Sequence, residues 1–203
     1  MAGFLSKIFK PFKKIVKGIG KGIKGIAKII TKPLKAILKP IGKIFEETFT
    51  YHKAVGKTVT YNIPYSNSYK GVGANNMNNI IRGTKNFHDG QWQAWLNKDM
   101  ELTIDMGEST TMSSVAVGSM ENQGRGIYFP TEVEVLLSND GENYTSAGKI
   151  ERAYKSDAVI ELMDFKVTFS SQKAQYVKVK AKNLMKTPRG TGVWLFVDEV
   201  IVE

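Results

Sequence analysis

The hydrophobic periodicity of this 203-residue chain changes once, near Glu46 and Glu47, and that change limits what the chain can fold into. Before it, apolar residues recur with a helical period. After it, they alternate with a period of two, as on a half-buried strand. The alternating runs are short: MELTIDM at 100–106, MSSVAVGS at 112–119, TEVEVLLS at 131–138, NYTSAGKI at 143–150, DAVIELM at 157–163, AQYVKVKAK at 174–182 and VWLFVDEVIVE at 193–203. Turn residues separate them, notably Asn139-Asp140-Gly141 and Pro188-Arg189-Gly190. In AQYVKVKAK, Tyr176 and the lysines face one way while Val177 and Val179 face the other, so one side of the sheet is buried. Many short strands of this kind predict an all-β sandwich or barrel, and nothing reads as a βαβ unit.

The segment from Phe4 to Glu47 follows a different rule. Written in lines of eleven, its columns are Phe4, Ile15, Ile26, Ile37, then Ile8, Ile19, Ile30, Ile41, then Phe12, Ile23, Leu34, Phe45. A further column is Lys10, Lys21, Lys32, Lys43. Eleven residues over three turns is a period of about 3.67, which keeps one apolar stripe on one helix face with lysine opposite. Residues 1–45 carry twelve lysines, no arginine and no acid, which leaves 17 of the 29 basic residues against all 19 acidic ones. The charge of +10 therefore belongs to the arm, and the remainder is close to neutral. Such asymmetry points to a polyanionic or membrane partner for the arm.

The arm should not fold alone. Pro11, Pro33 and Pro40 would each cost about 3 kcal/mol inside a helix, and Gly18, Gly20, Gly22 and Gly25 up to about 1 kcal/mol each. A partner that covers the stripe would order it as two or three helical pieces. That partner is a membrane surface or other protein in an oligomer or larger assembly. Nucleic acid is disfavoured, because arginine is absent and phosphate contacts would not explain the isoleucine columns. The plain alternative is a charged helix docked on its own domain. Lysine recurs too often for a secretory h-region or a spanning helix. With no cysteine, disulfides and thiolate sites are excluded. The expected organisation is a docking arm at 1–47, a connector and first strand at 48–66, and the β-domain at 67–203.

The domain resembles a known family. IIRGTKNFHDGQWQAW at 80–95 followed by DMELTIDMGE at 99–108, FPTEVEVLLSNDGENYTSAG at 129–148, AQYVKVKAKN at 174–183 and GVWLFVDEVIV at 192–202 are similar, in order, to the motifs of the discoidin or coagulation factor 5/8 C-type domain. Among its branches the likeness is to carbohydrate-binding module family 32, as appended to family 20 hexosaminidases. The resemblance implies a galactose-binding-like jelly-roll sandwich, with Trp92 and Trp95 as buried plugs, Gly107 closing a strand, and loops at one end that bind sugar or, in some members, phospholipid.

Sugar sites combine an aromatic face with side chains that hydrogen-bond hydroxyls. Two loops have that mixture: 121–129, with Asn122, Gln123, Arg125 and Tyr128, and 186–194, with Lys186, Arg189 and Trp194. His88 in NFHDG is either a ligand contact or a partner for a backbone group. The expected ligand-binding set is Gln123, Arg125, Tyr128, Arg189, Trp194 and His88. The resemblance also implies a structural calcium, with Asn79, Thr84 and Glu199 at the matching positions, although Asn79 stands where relatives carry aspartate and Ile80 where they carry glycine. No cofactor is required otherwise.

Two histidines, no cysteine and no paired carboxylates give no support to catalysis. The expectation is a non-catalytic glycan-binding module. Basic Gly/Ile/Lys-rich N-termini of this kind resemble those of bacteriophage virion proteins, which implies a virion component that attaches to host glycans and leaves the cell by lysis. The alternatives are a structural virion protein with a vestigial sugar site and a membrane-active protein whose arm enters a bilayer.

Overall fold

The chain divides into two units, Met1–Glu46 and Glu47–Glu203. The computed structural model describes residues 50–156, 159–187, 190 and 192–203. The expected helical arm, with its stripe from Phe4 to Phe45, and the expected contact Arg189 lie outside the described residues.

The described residues form an all-β sandwich. Its strands are β1 (Thr58–Tyr61), β2 (Gln93–Leu96), β3 (Met100–Glu121), β4 (Glu132–Ser138), β5 (Thr145–Glu151), β6 (Glu161–Lys182) and β7 (Trp194–Val202). Their order is β2-β7-β3-β6-β4-β5, with β1 added on β3, and every ladder is antiparallel. Two runs expected as separate strands, 100–106 and 112–119, are one continuous 22-residue strand. Gly107, expected to close the first of them, does not end it. At φ 75° it sits where the β3–β6 register slips, between Asp105 and Thr110, and a second slip follows between Met112 and Ser114. Such irregularities bend a strand without ending it. Glu161–Met163 of one run and Ala174–Lys182 of another likewise belong to the two ends of the single strand β6.

The bends of β3 and β6 make two layers from one chain of pairings. Their outer halves pair at Met100–Asp105 with Tyr176–Ala181 and, together with β1, β4 and β5, form one layer. Their other halves pair at Ser114–Glu121 with Glu161–Thr168 and, with β7 and β2, form the second. The inward positions obey the alternation in the sequence. Leu102, Ile104, Val133, Val135, Val177 and Val179 meet Val115, Val117, Phe165, Val197, Val200 and Val202 in one core. Each such side chain taken out of water contributes about 1.5–3 kcal/mol. Trp95 is 1% exposed and its indole N–H donates to the Ile63 carbonyl at 3.0 Å, so the ring is buried with its one donor satisfied.

A second, smaller cluster is built from Trp92, Ala94, Met120, Ile127 and Phe196, with Tyr69, Phe87 and Trp194 packed against it. It covers the outer side of the β2–β7 edge and carries the loops described next. Among the described residues no helix is long and apolar enough to cross a membrane.

Candidate functional site

The loop at 122–128 begins with a 3-10 turn, Gln123–Arg125, capped by Gly126 in the left-handed region at φ 73°. It then pairs with the start of β7. The Trp194 N–H donates to the Gly126 carbonyl at 2.8 Å, and the Tyr128 N–H donates to the Trp194 carbonyl at 2.9 Å. The two loops singled out for their sugar-site composition therefore meet. Asn97 fixes the approach to Trp194, because its Oδ1 accepts from the Gly192 and Val193 N–H groups at 3.1 and 2.9 Å.

Trp194 is the inner edge of an aromatic group. Tyr69 lies edge-on to it with centroids 5.2 Å apart, and the His88 ring is 6.1 Å from Tyr69 and 4.1 Å from Phe87. His88 and Arg125 are exposed, while Trp194, Tyr69 and Phe87 are half-buried. The result is a rim with a stack of ring edges and the His88 imidazole, bordered by the loop that carries the exposed Arg125. The expected residues do not all reach it. Gln123 is 8% exposed and its amide donates to the Lys155 carbonyl at 2.7 Å, so it anchors a neighbouring loop. Tyr128 is 5% exposed and packs edge-on against Tyr154 at 5.9 Å. Both are corrections: burial turns these two side chains inward. Tyr69 and Phe87, which complete the aromatic group, carry no signal in the sequence: no motif surrounds Tyr69 in SNSYKGVG, and Phe87 reads as an ordinary core aromatic.

The His88 loop is held by two consecutive acids of β7. The β3–β7 register slips between the Val117–Val200 and Ser119–Val197 pairs, so Asp198 and Glu199 fall in an irregularity of the ladder. Asp198 is 1% exposed and accepts from Arg82 Nε and from the Gly83 N–H, both at 2.8 Å. Burial pushes its carboxyl up from the usual range, against the pull of Arg82. Arg82 also reaches Asp164 at 2.5 Å. Gly118 makes room for the pair, because a Cβ there would overlap Asp198 Oδ1 and Arg82 Nη2. The loop itself is closed by Asp89, whose Oδ2 accepts from the Thr84 N–H and hydroxyl at 2.6 and 2.8 Å.

The residues expected to hold calcium are partly committed to other partners, while Glu199 keeps one buried carboxylate oxygen, Oε2, without a partner among the described residues. Glu199 Oε1 is taken by His52 Nε2 at 2.8 Å and the Ile80 N–H at 2.9 Å, with both acidic and imidazole side chains fully buried. Asn79 Oδ1 accepts from the Ile81 N–H at 2.7 Å, and its amide nitrogen is buried without a partner among the described residues. The Thr84 hydroxyl is committed to Asp89. A hard cation takes six to eight oxygens from carboxylates, backbone and amide carbonyls and water, and among the described residues no group of three or more His, Cys, Asp and Glu side chains could hold a metal, so a cation at Glu199 would rest mainly on carbonyl oxygens. Ile80 keeps the left-handed backbone, at φ 71°, that a glycine would adopt freely. For a branched residue that conformation costs about 1–2 kcal/mol, and bonds on both sides of the peptide, to Glu199 and from the Thr50 N–H at 2.8 Å, hold it there.

A family model for the F5/8 type C domain matches residues 59–197. No curated protein matches the chain in sequence. Among solved structures, the chain is similar to CpGH89CBM32-6 of Clostridium perfringens at 15% identity and a TM-score of 0.46, over 75% of this chain and 98% of that one. It is similar to chitosan-binding module 1 of a chitosanase/glucanase from Paenibacillus sp. IK-5 at 17% identity and a TM-score of 0.45, over 76% and 99%. CpGH89CBM32-5 of Clostridium perfringens, solved in complex with GalNAc-β-1,3-galactose, matches at 18% identity and a TM-score of 0.45, over 71% and 92%.

Proposed function

From the premise that the chain belongs to the F5/8 type C domain family, whose domains are non-catalytic binding modules, we propose that its β-domain binds glycans at the rim formed by Trp194, Tyr69, His88 and Arg125. The observation that carries this reading is the docking of the 122–128 loop, which bears the exposed Arg125, on the half-buried Trp194. An aromatic edge takes the apolar side of a pyranose, while guanidinium and imidazole nitrogens hydrogen-bond its hydroxyls. A glycan array with the full-length protein tests it. Trp194→Ala and Arg125→Ala are each expected to weaken the best glycan at least tenfold, about 1.4 kcal/mol. An array without any hit, or hits indifferent to both substitutions, overturns the reading.

The arm gives the module its context. Its eleven-residue stripe of Ile and Phe backed by lysine is read as a contact strip that docks the module on a larger assembly, a bacteriophage virion in which the domain attaches to host glycans. A membrane surface is the competing partner for the same strip. The full chain is expected to run as an oligomer, and a chain lacking residues 1–47 as a monomer, in light scattering. Equal masses together with flotation of the full chain on vesicles of anionic lipid would replace the assembly reading with the membrane one.

A further inference from the structure

The outward face of the layer built from β1, β3, β6, β4 and β5 is divided by chemistry. Toward β5 its charges neutralise one another: Lys149 and Lys182 reach Glu132 at 3.1 and 2.8 Å. That half is a solvated sheet surface whose polar groups already have partners. The other half carries hydroxyls. Thr58 stands across from Asp105 and Thr60 across from Thr103, and the next strand adds Tyr176 and Lys178 in the same rows. Over them opens a groove of about 440 Å³, walled on one side by the β4–β5 turn with Asp140 and Tyr144. That volume lies within the range of small-ligand sites.

The groove is preformed. Asp140 Oδ1 accepts from the Ser138 hydroxyl at 2.8 Å and from the Glu142 and Asn143 N–H groups at 2.9 and 2.8 Å, which locks the turn. Gly141, at φ 77°, lets that turn close directly on the Tyr176 ring, since a Cβ there would come within 3.3 Å of it. Gln175 Nε2 donates both to Asp105 Oδ1 at 3.1 Å and to the Tyr176 hydroxyl oxygen at 3.2 Å. The Lys178 ammonium rests 3.9 Å from the Tyr144 ring centroid and braces the wall from below. Floor and wall are therefore ordered before any ligand arrives, which removes much of the entropic cost of binding.

We infer that this groove is a second saccharide site, taking a neutral oligosaccharide laid across β1, β3 and β6. The ligand class rests on the glycan reading of the rim, but the site does not share its residues or its layer. Thr58 and Thr60 are exposed hydroxyls that donate and accept, as sugar hydroxyls do. Asp105 uses Oδ1 for the Gly107 N–H at 2.7 Å and for Gln175, which leaves its other oxygen to accept from a ligand. Tyr144 and Tyr176 supply apolar ring surface beside these groups. Two carboxylates, Asp105 and Asp140, against the single ammonium of Lys178 select against uronates and sulfated chains.

The test is a titration of isotopically labelled full-length protein, followed by NMR, with tetrasaccharides of N-acetylglucosamine, galactose and mannose. The amide signals of Thr60, Thr103, Tyr144 and Tyr176 are expected to shift with at least one of them. The shifts should persist in Arg125→Ala and require at least tenfold more ligand in Tyr144→Ala and in Thr60→Val, which keeps a strand-favouring residue. Shifts confined to Trp194, His88 and Arg125 would overturn the groove and leave the rim reading standing. Shifts nowhere would overturn both, and groove shifts that vanish in Arg125→Ala would overturn a separate site.

Discussion

Replacing Asp198 with alanine is expected to destabilise the domain by about 3–5 kcal/mol, the usual cost of leaving one member of a buried ion pair behind. The carboxylate holds Arg82 Nε and the Gly83 N–H at 2.8 Å each and is 1% exposed. Its loss leaves the Gly83 donor unsatisfied and Arg82 with only Asp164, whose side chain is 44% exposed. The contrast variant is Asp164→Ala, expected to cost no more than about 1 kcal/mol because its contact with Arg82 is half in water. Urea denaturation of the two variants reads the difference directly. Equal midpoints would show that the buried carboxylate is not the anchor of the 79–91 segment. Because that segment presents His88 and Phe87, Asp198→Ala should also weaken glycan binding without touching the rim.

The second large effect is expected at His52. Its Nδ1 accepts from the Ala54 and Val202 N–H groups at 3.3 and 3.4 Å, which places the ring proton on Nε2, aimed at Glu199. Burial pushes the Glu199 carboxyl up from its usual range, while the His52 and Ile80 donors pull it down. His52→Ala removes one of the two donors on a fully buried acid and should cost about 2–3 kcal/mol. His52→Gln, which keeps an N–H donor, should recover part of that. The same arrangement predicts that EDTA shifts the wild-type melting temperature by less than about 1 °C, since a cation bound only to the folded state would stabilise it by mass action. A fall of several degrees with EDTA would mean that a metal, not the imidazole, completes the Glu199 site.

Much of the fold was legible because strand alternation is a local property. Val133 and Val135, or Val177 and Val179, declare an inward face within a single segment, and Asn139-Asp140-Gly141 declares its turn through the left-handed glycine at φ 77°. Composition singled out two loops, and they meet through backbone bonds at Trp194. Which of their side chains face outward was not legible, because Gln123 and Tyr128 are turned inward by partners in the 152–156 segment, Lys155 and Tyr154. Gly107 misled for a related reason: a glycine that ends a strand and one that bends it look alike until the partner strand shows whether pairing resumes.

Local pattern alone carries the all-β class, the turn between β4 and β5 and the segregation of basic charge into the first 45 residues. These follow from neighbours two to four residues apart, where periodicity and turn chemistry act. Only the tertiary structure decided that β3 and β6 each run through both layers, that Asp198 takes Arg82 116 positions away, and that Glu199 takes His52 147 positions away. A buried carboxylate must find its compensating donors wherever the fold brings them. The partner's distance along the chain leaves no periodic trace, so a glutamate placed like a metal ligand became half of a buried hydrogen-bonded pair.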